Sequence, residues 1–288
     1  MPDAANESII IRDIRDVSEM RLVERLEKEV WGLNDLDVVP MMQLVATIHA
    51  GGILIGAFDQ ESLVGFAYGF VSIEDGALTH HSHMLAVRST HRNRDLGRRL
   101  KLAQRERALQ QGITRMTWTF DPLQSLNARF NFRKLGAISD RYIVNFYGES
   151  TPSFLHRNGT DRLWTTWLLD SQRVRERTAD GARDTDDDVR FSKAVSLVEL
   201  CADDSPQVNE WSLTPDHERV SIQIPTNISA LEQIHYEIAR AWREVTRRAF
   251  TDALAAGYVV TDFGIVEQDD RRVGVYTLSA NCRLEEFE

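Results

Sequence analysis

The 288-residue chain has few lysines and an excess of acidic residues. Only four of its 34 basic side chains are lysines, so a single arginine says little about function. The net charge of −10 argues against long-range attraction to nucleic acid or to an anionic membrane surface. We therefore expect no nucleic acid and no membrane among its partners.

Cysteines and long apolar runs are also scarce. Cys201 and Cys282 lie far apart and outside any Cys-x-x-Cys pattern, so they predict neither a disulfide framework nor a zinc site. No apolar stretch approaches the roughly 20 residues needed to cross a bilayer. The opening MPDAANESII lacks the basic start and apolar core of a signal peptide. These features predict a cytoplasmic protein without a resident metal.

Periodic apolar patterns divide the first 170 residues into strands and helices. Strands are predicted over 8–14, 52–58, 62–73, 78–87, 113–120, 137–148 and 161–170. Helices are predicted after Asp16, over 41–49, from Leu96 to Gly112, and from Asp121-Pro122 to Gly136.

The charged stretch 171–191 has no apolar period and is predicted to be a linker. Beyond it, strands are predicted over 194–200, 219–225, 258–266 and 271–279. A long helix is expected from a capping box at Ser229 and Glu232 to Gly257. The predicted domains are therefore residues 1–172, a linker over 173–191, and a C-terminal α+β domain over 192–288.

The stretch THRNRDLGRR, residues 90–99, lies between a predicted strand and a predicted helix. A helix N-terminus carries unpaired N–H groups and a partial positive charge, and both suit a phosphate. Its four arginines favour an anion site. The alternative is a solvated basic start to a helix.

The order of the elements and two motifs resemble the GNAT superfamily of acyl-CoA-dependent N-acyltransferases. Its central motif, Arg/Gln-x-x-Gly-x-Gly/Ala, is matched by residues 92–97, and its later motif by Asn127 and Leu135-Gly136-Ala137. The resemblance covers about residues 9–170. It implies an α/β (α+β) fold, with a mixed, mostly antiparallel sheet flanked by helices and followed by a smaller α+β domain. The whole chain is similar to a longer, two-part branch of the superfamily.

The resemblance also implies a cosubstrate, acetyl-CoA or another acyl-CoA. The pyrophosphate would bind the loop and helix start at Arg92, Asn93, Arg94, Asp95, Leu96, Gly97 and Arg98. Asn127 would be a further contact, or an ordinary helix cap. The backbone at Leu85, Ala86 and Val87 would pair with the pantetheine arm and stabilise the thioester oxyanion.

Two residues depart from the family pattern. Asp95 stands where the motif has its first glycine, and its side chain could turn inward and cap the helix. Phe132 stands where many relatives have a tyrosine that protonates the leaving thiolate. Tyr142 or Tyr147 could replace it, with Tyr142 as the predicted catalytic residue; otherwise solvent does so, or no chemistry occurs.

Three histidines follow one another closely on a predicted strand. His81 and His83 should share a face, and no carboxylate or cysteine is spaced to complete a zinc site with them. Acylation needs a neutral amine, and imidazole is a suitable base near neutral pH. His83 is therefore the predicted general base. A histidine hydrogen-bonded within the sheet is the alternative.

Substrate residues are predicted at Trp118, Asp121 and Arg243. Asp121 could hold the acceptor amine or cap a helix. Trp118 would be a wall or core residue. Arg243 could bind a carboxylate, or it could lie on a solvated helix face. The predicted function is transfer of an acetyl or other short acyl group to the amine of a small molecule, with an amino acid as one candidate. The alternative is a catalytically degenerate CoA-binding or interaction module. A homodimer is left open.

Overall fold

The computed structural model describes residues 9–148, 158–179, 194–211, 213, 217–282 and 287. Packing groups the described residues before Thr119 into a first unit and those from Thr119 onward into a second. The predicted domain boundary at residue 172 rests on the charged stretch that follows it in the sequence, and it stays a prediction.

In the first unit, one sheet is covered by three helices. The elements are β1 Ile9–Asp13, α1 Val17–Trp31, α2 Met41–His49, β2 Ile53–Asp59, β3 Ser62–Glu74, β4 Ala77–Val87, a 3-10 turn Ser89–His91, α3 Leu96–Gln110 and β5 Arg115–Phe120, whose last two residues belong to the second unit. The strands follow the order β1-β2-β3-β4-β5. All pairs are antiparallel except β4 with β5.

Local sequence explains where these helices begin and end. The Asp16 side chain accepts the backbone N–H of Ser18 and caps α1, and Gly32 ends that helix in the left-handed conformation. Below α1 and α2 lies an apolar core that includes Val23, Leu44 and Phe66. The buried face of α1 thus fixes it against the sheet.

The second unit has its own sheet and core. Its elements are α4 Ser125–Ala128, a π-helix Arg129–Lys134, β6 Ile138–Ile143, β7 Arg162–Leu168, α5 Gln172–Thr178, β8 Val195–Leu200, β9 Pro206–Val208, β10 Arg219–Pro225, α6 Ile228–Ile234, α7 Tyr236–Ala255, β11 Val259–Gln268 and β12 Arg271–Ser279. The strands follow the order β7-β6-β11-β12-β10-β8-β9, with only β8 and β10 parallel among the pairs described here.

The predicted fold class is confirmed, since both units combine mostly antiparallel strands with packed helices. Three local predictions are wrong. Residues 172–178 form α5 instead of a linker, because Ser171 caps the helix and Val174 is buried. The long C-terminal helix is two helices, broken at His235, and α6 begins after Asn227 rather than at Ser229. The rest of the predicted linker, residues 180–191, lies outside the described residues.

The third correction concerns the helix predicted from Pro122 to Gly136. The Asp121 side chain accepts the N–H of Leu123, 2.9 Å away, but this bond closes a turn before the helix. Regular helix begins only at Ser125 and continues as π-helix from Arg129. A π-helix within such a stretch is rare, and the apolar period does not reveal it.

Candidate functional site

A bulge interrupts the pairing of β3 with β4 beside the predicted base. Tyr68 pairs with Met84 and Phe70 with His81, so Gly69 alone faces both Ser82 and His83. A Cβ at Gly69 would lie 2.4 Å from His80 Nε2 and 2.5 Å from the His81 carbonyl oxygen. Only glycine fits here without moving the strand.

The end of β4 extends beyond its pairing with β5. The two parallel strands pair at His80↔Met116 and His81↔Thr117. Leu85, Ala86 and Val87 pair with β3 on their other edge. Within the described residues, β4 therefore has a backbone edge at 85–87 that its ladder with β5 does not use.

The arginine-rich loop takes the backbone shape that a glycine motif would supply. Asn93 and Asp95 both have positive φ, of 63° and 55°. Asp95 is the N-cap of α3, yet its side chain makes no capping hydrogen bond. The expectation that Asp95 turns inward to cap the helix is wrong. Asparagine and aspartate are the non-glycine residues that best tolerate this region, which explains how the loop keeps its shape.

Charge is concentrated around this loop. Arg92 Nε donates to the Val87 carbonyl oxygen at 3.2 Å and ties the loop to the end of β4. Arg98 Nη1 lies 3.4 Å from Asp95 Oδ2. Leu96, buried together with Leu100, fixes the first turn of α3 against the sheet. The first turn, which carries no acidic residue, can bind an anion through its N–H groups.

His81 and His83 lie on one face of β4, as predicted. Their ring centroids are 6.4 Å apart, and both rings contact Phe70. The His81 Nδ1 atom is 3.1 Å from the Thr117 hydroxyl, whereas the side chain of His83 is exposed. His83 is thus the member of the pair that solvent reaches.

The histidines differ in how strongly the protein favours the neutral ring. Burial lowers the pKa of His80 to about 3 and, with the charge of His83, lowers the pKa of His81 to about 4. Partial desolvation also lowers the pKa of His83. A neutral imidazole with an exposed edge can accept a proton from an amine.

A buried polar cluster on the other face of β4 was missed by the sequence analysis. The histidine–lysine cluster consists of His80, Ser82, Lys101 and Gln104. Lys101 Nζ donates to Ser82 Oγ at 2.8 Å and lies 3.7 Å from the centroid of the Trp118 ring. Burial lowers the pKa of Lys101 well below its usual value. The predicted wall residue Trp118 is therefore packed against this cluster.

In the second unit, the predicted substrate residues Asp121 and Arg243 form a buried ion pair. Arg243 Nη2 donates to Asp121 Oδ2 at 2.7 Å, and its Nε donates to the Asn158 carbonyl oxygen at 2.7 Å. Burial would lower the pKa of Arg243, but Asp121 outweighs it and the pKa is raised. The buried Nη1 has no hydrogen-bond partner among the described residues.

Tyr142 belongs to the same network through Asp161. Its hydroxyl donates to Asp161 Oδ2 at 2.6 Å, and Arg247 donates to both carboxylate oxygens of Asp161. Burial and the charge of Asp161 raise the pKa of Tyr142 well above its usual value. To protonate a thiolate, this hydroxyl would have to break its hydrogen bond to Asp161. We call Asp121, Tyr142, Asp161, Arg243 and Arg247 the aspartate–arginine cluster.

Two other motif residues lie apart from these clusters. Asn127 is exposed on α4 and is not its N-cap, which is Gln124. Phe132 is fully buried, and its ring contacts those of Phe120 and Tyr276. Phe132 is therefore a core residue of the second unit.

Two features are absent from the described residues. These residues contain no group of three or more His, Cys, Asp or Glu side chains that could hold a metal ion. No helix in this part of the chain combines the length and apolar character needed to cross a membrane.

The structure brings the predicted residues together in two sets. His83, Leu85–Val87 and the loop 92–98 follow one another along β4 and the start of α3 in the first unit. Asp121, Tyr142 and Arg243 share the aspartate–arginine cluster of the second. The sequence did contain one signal for Lys101, which the sequence analysis missed. Lys101 precedes Gln104 by three positions and Ala108 by seven, and this helical spacing places it on the buried face of α3. No sequence pattern marks Asp161 or Gly69.

Solved structures to which the chain is similar include several acetyltransferases. The ribosomal-protein-S18-alanine N-acetyltransferase from Escherichia coli is 11% identical, with a TM-score of 0.45 over 56% of this chain and 94% of that one. The NatC complex bound to Gag peptide and CoA is 13% identical, with a TM-score of 0.45 over 56% of this chain and 98% of that one. A third structure is an aminoglycoside acetyltransferase from an uncultured soil metagenomic sample, in complex with trehalose. It is 15% identical, with a TM-score of 0.39 over 43% of this chain and 85% of that one. TM-scores below 0.5 assign no substrate to this chain.

Sequence comparison gives a narrower result. No curated protein matches the chain. The family model described as "Acetyltransferase (GNAT) family" matches residues 19–137, which include β4, the arginine-rich loop and α3. Over residues 19–137 the chain is therefore similar to the GNAT acetyltransferase family.

Proposed function

We propose that the protein is an N-acyltransferase that moves an acetyl or other short acyl group from acyl-CoA to the amine of a small molecule. One observation carries the proposal: within the matched family segment, α3 begins without a side-chain cap, directly after a glycine-like loop rich in arginine. This arrangement suits a pyrophosphate, because the N–H groups of the first turn and nearby guanidinium groups stabilise an anion.

The acyl end of the cosubstrate would bind along β4. The edge at Leu85–Val87 would pair with the pantetheine arm, and its N–H groups would stabilise the negative charge that develops on the thioester oxygen. The amine nitrogen attacks the carbonyl carbon, the C–S bond breaks, and the thiolate leaves. His83 takes a proton from the attacking nitrogen. Positioning of the two substrates contributes more than any one side chain.

The roles of the second-unit residues are part of the proposal. Arg243, with its unpartnered Nη1, is the candidate partner for a carboxylate on the acceptor, which makes an amino acid a reasonable acceptor. Asp121 is the candidate that binds the acceptor amine. Tyr142 is the candidate that protonates the leaving thiolate. Each role predicts a change in acceptor KM or in kcat on substitution, while binding of CoA stays unchanged.

Calorimetric titration with acetyl-CoA and CoA tests the cofactor site. We expect micromolar binding that weakens by about tenfold or more when Arg94 and Arg98 are both changed to Ala, since each lost charge-assisted contact costs about 1.5 kcal/mol or more. The matched control changes two arginines on α7, Arg240 and Arg248, to Ala. Absence of heat with both ligands, or equal losses in both double variants, would overturn the proposal.

Asp95 provides a test of opposite sign. An Asp95→Gly variant keeps the positive φ at no steric cost and removes a carboxylate next to the phosphate site. We expect CoA to bind a few times more tightly than to the wild type. Weaker binding would mean that the carboxylate contributes to the site, for example by orienting Arg98.

The role of His83 is tested by pH-rate profiles. We expect His83→Gln to lower kcat by about a hundredfold, with CoA affinity unchanged. Because the pKa of His83 is lowered, wild-type activity should rise through a pKa below 6.5 and then level off. This acidic limb should disappear in the variant. A limb that persists would assign the base elsewhere.

A second candidate function is a CoA-binding or interaction module without catalysis. It is favoured by the buried Phe132 and by the occupied hydroxyl of Tyr142, since neither can readily protonate a thiolate. Thiol release with a panel of amines separates the two candidates. Release above the rate without amine supports the enzyme, whereas tight CoA binding with no release by any amine supports the module.

A further inference from the structure

A cavity of about 520 Å³ lies at the C-terminal end of α3, within the first unit. It is formed where the ends of β1, α2 and α3 meet the start of β2. The arginine-rich loop is at the other end of α3, which is 15 residues and therefore roughly 20 Å long. The cavity is thus separate from the site proposed for CoA, and its size is typical of small-molecule pockets.

The floor of this cavity is apolar. It includes side chains from β1, α1, α2 and β2, among them Ile14, Val17, Met20, Val45 and Ile48. Val17, the first residue of α1, has an apolar side chain that is 47% exposed. Gly51 and Gly52 complete the wall. Such a floor favours a ligand with an apolar body.

The rim of the cavity is rich in hydrogen-bond donors. Its lining contains one carboxylate, Asp13, and both oxygens are already occupied, by Arg107 Nε at 3.0 Å and Arg15 Nη2 at 3.3 Å. Arg107 Nη1 donates to Glu106. Among the described residues, no protein acceptor is bound by Arg107 Nη2, by the other side-chain nitrogens of Arg15 or by the side-chain amide of Gln110. The rim can therefore donate to an anion, whereas its carboxylate cannot accept a cation without losing an arginine.

We propose that this cavity binds a small monocarboxylate with an apolar body. Its carboxylate contacts the guanidinium groups of Arg15 and Arg107, and its body lies on the floor near Val45. The side chain of Arg107 is only 27% exposed, so its hydrogen bond to a carboxylate is partly shielded from water. The proposal is independent of the acyltransferase reaction, because it concerns the opposite end of α3.

Calorimetry on the full chain without CoA tests the proposal, with phenylacetate and hexanoate as probes. We expect saturable binding of at least one probe in the sub-millimolar range, and no binding of phenethylamine. Arg107→Gln should weaken binding by about tenfold. Arg15→Gln should weaken it as well, and because Arg15 is exposed this variant keeps the fold if Arg107→Gln does not. Val45→Phe should abolish binding by filling the cavity.

The control variant is Arg240→Gln on α7, which should bind the probes as the wild type does. Four outcomes would overturn the proposal: no binding of either probe at millimolar concentration, equal binding of phenethylamine, binding unchanged in the three cavity variants, or displacement of the probe by CoA. A failed CoA titration would overturn the acyltransferase proposal and leave this one standing, since the probes are measured without CoA.

Discussion

Both units bury ionisable side chains, but they stabilise them in opposite ways. In the histidine–lysine cluster, His80 and Lys101 lie among polar neutral groups, and burial lowers the pKa of both. In the aspartate–arginine cluster, Arg243 and Asp161 lie next to opposite charges, which raise the pKa of Arg243 and lower that of Asp161 despite burial. The first cluster favours neutral side chains and the second favours ion pairs.

The difference shows that burial of an ionisable group does not by itself indicate a charge. A buried base without a carboxylate nearby lowers its energy by losing its proton. A buried base with a carboxylate at 2.7 Å, as Arg243 has in Asp121, keeps its proton. The two clusters should therefore respond differently to substitution and to acid.

The largest effect is expected from Asp161→Asn. The fully buried carboxylate binds both Arg247 and Tyr142, and neutralising it leaves excess positive charge from Arg243 and Arg247. We expect a loss of about 3 kcal/mol in the free energy of unfolding, at the low end for a broken buried pair because Arg247 can reach water. Urea denaturation at pH 7 measures it.

The matched control is Asp252→Asn on the same helix as Arg247. Asp252 pairs with Arg248 at 3.6 Å, and both side chains are exposed, so the loss should stay below about 1 kcal/mol. If Asp161→Asn cost no more than this control, ion pairing would not be what stabilises the second cluster.

The second-largest effect is a loss of stability at low pH, which we attribute to His80. Its pKa is about 3 in the folded protein and about 6.5 in an unfolded chain. The unfolded state therefore binds the additional proton, and stability present above pH 6.5 is lost as the pH falls toward 3. In His80→Asn, the drop in unfolding free energy between pH 7 and pH 4.5 should be smaller by about 2.5 kcal/mol.

Urea denaturation at the two pH values measures this difference, which is insensitive to any constant cost of the smaller side chain. The control for removing a histidine side chain is the exposed His235, changed to Asn. An unchanged drop in His80→Asn would mean that His80 is protonated in the folded protein, and the two clusters would then both contain buried charge.

Much of the fold could be predicted from the sequence, because most elements follow simple periods. Helix 41–49 and strands 219–225 and 271–279 have the predicted bounds. The errors occur where a local event overrides the period. His235 leaves helical geometry in the middle of an apolar stripe, and the π-helix over 129–134 adds a residue to its turn.

The candidate site was predictable only where a motif marks it. The arginine-rich loop was found because helix starts and phosphate chemistry leave a local pattern. The glycine-like φ of Asp95 could not be foreseen, since φ depends on the surrounding chain. The partners of Lys101 and Asp161 come from distant elements, and one sequence gives no distances between them.

The smallest effect is expected from Lys101→Met, and it tests the comparison most directly. If burial keeps the Lys101 amine neutral, an apolar side chain of similar volume replaces it at little cost, and Ser82 keeps its 2.8 Å bond to Gln104. The free energy of unfolding at pH 7 should then lie within about 1 kcal/mol of wild type, as for the surface control Lys28→Met. A loss above about 3 kcal/mol would mean that the amine is charged and paired. In that case both clusters would depend on ion pairs, and the lowered pKa of Lys101 would have to be rejected along with the contrast between the two units.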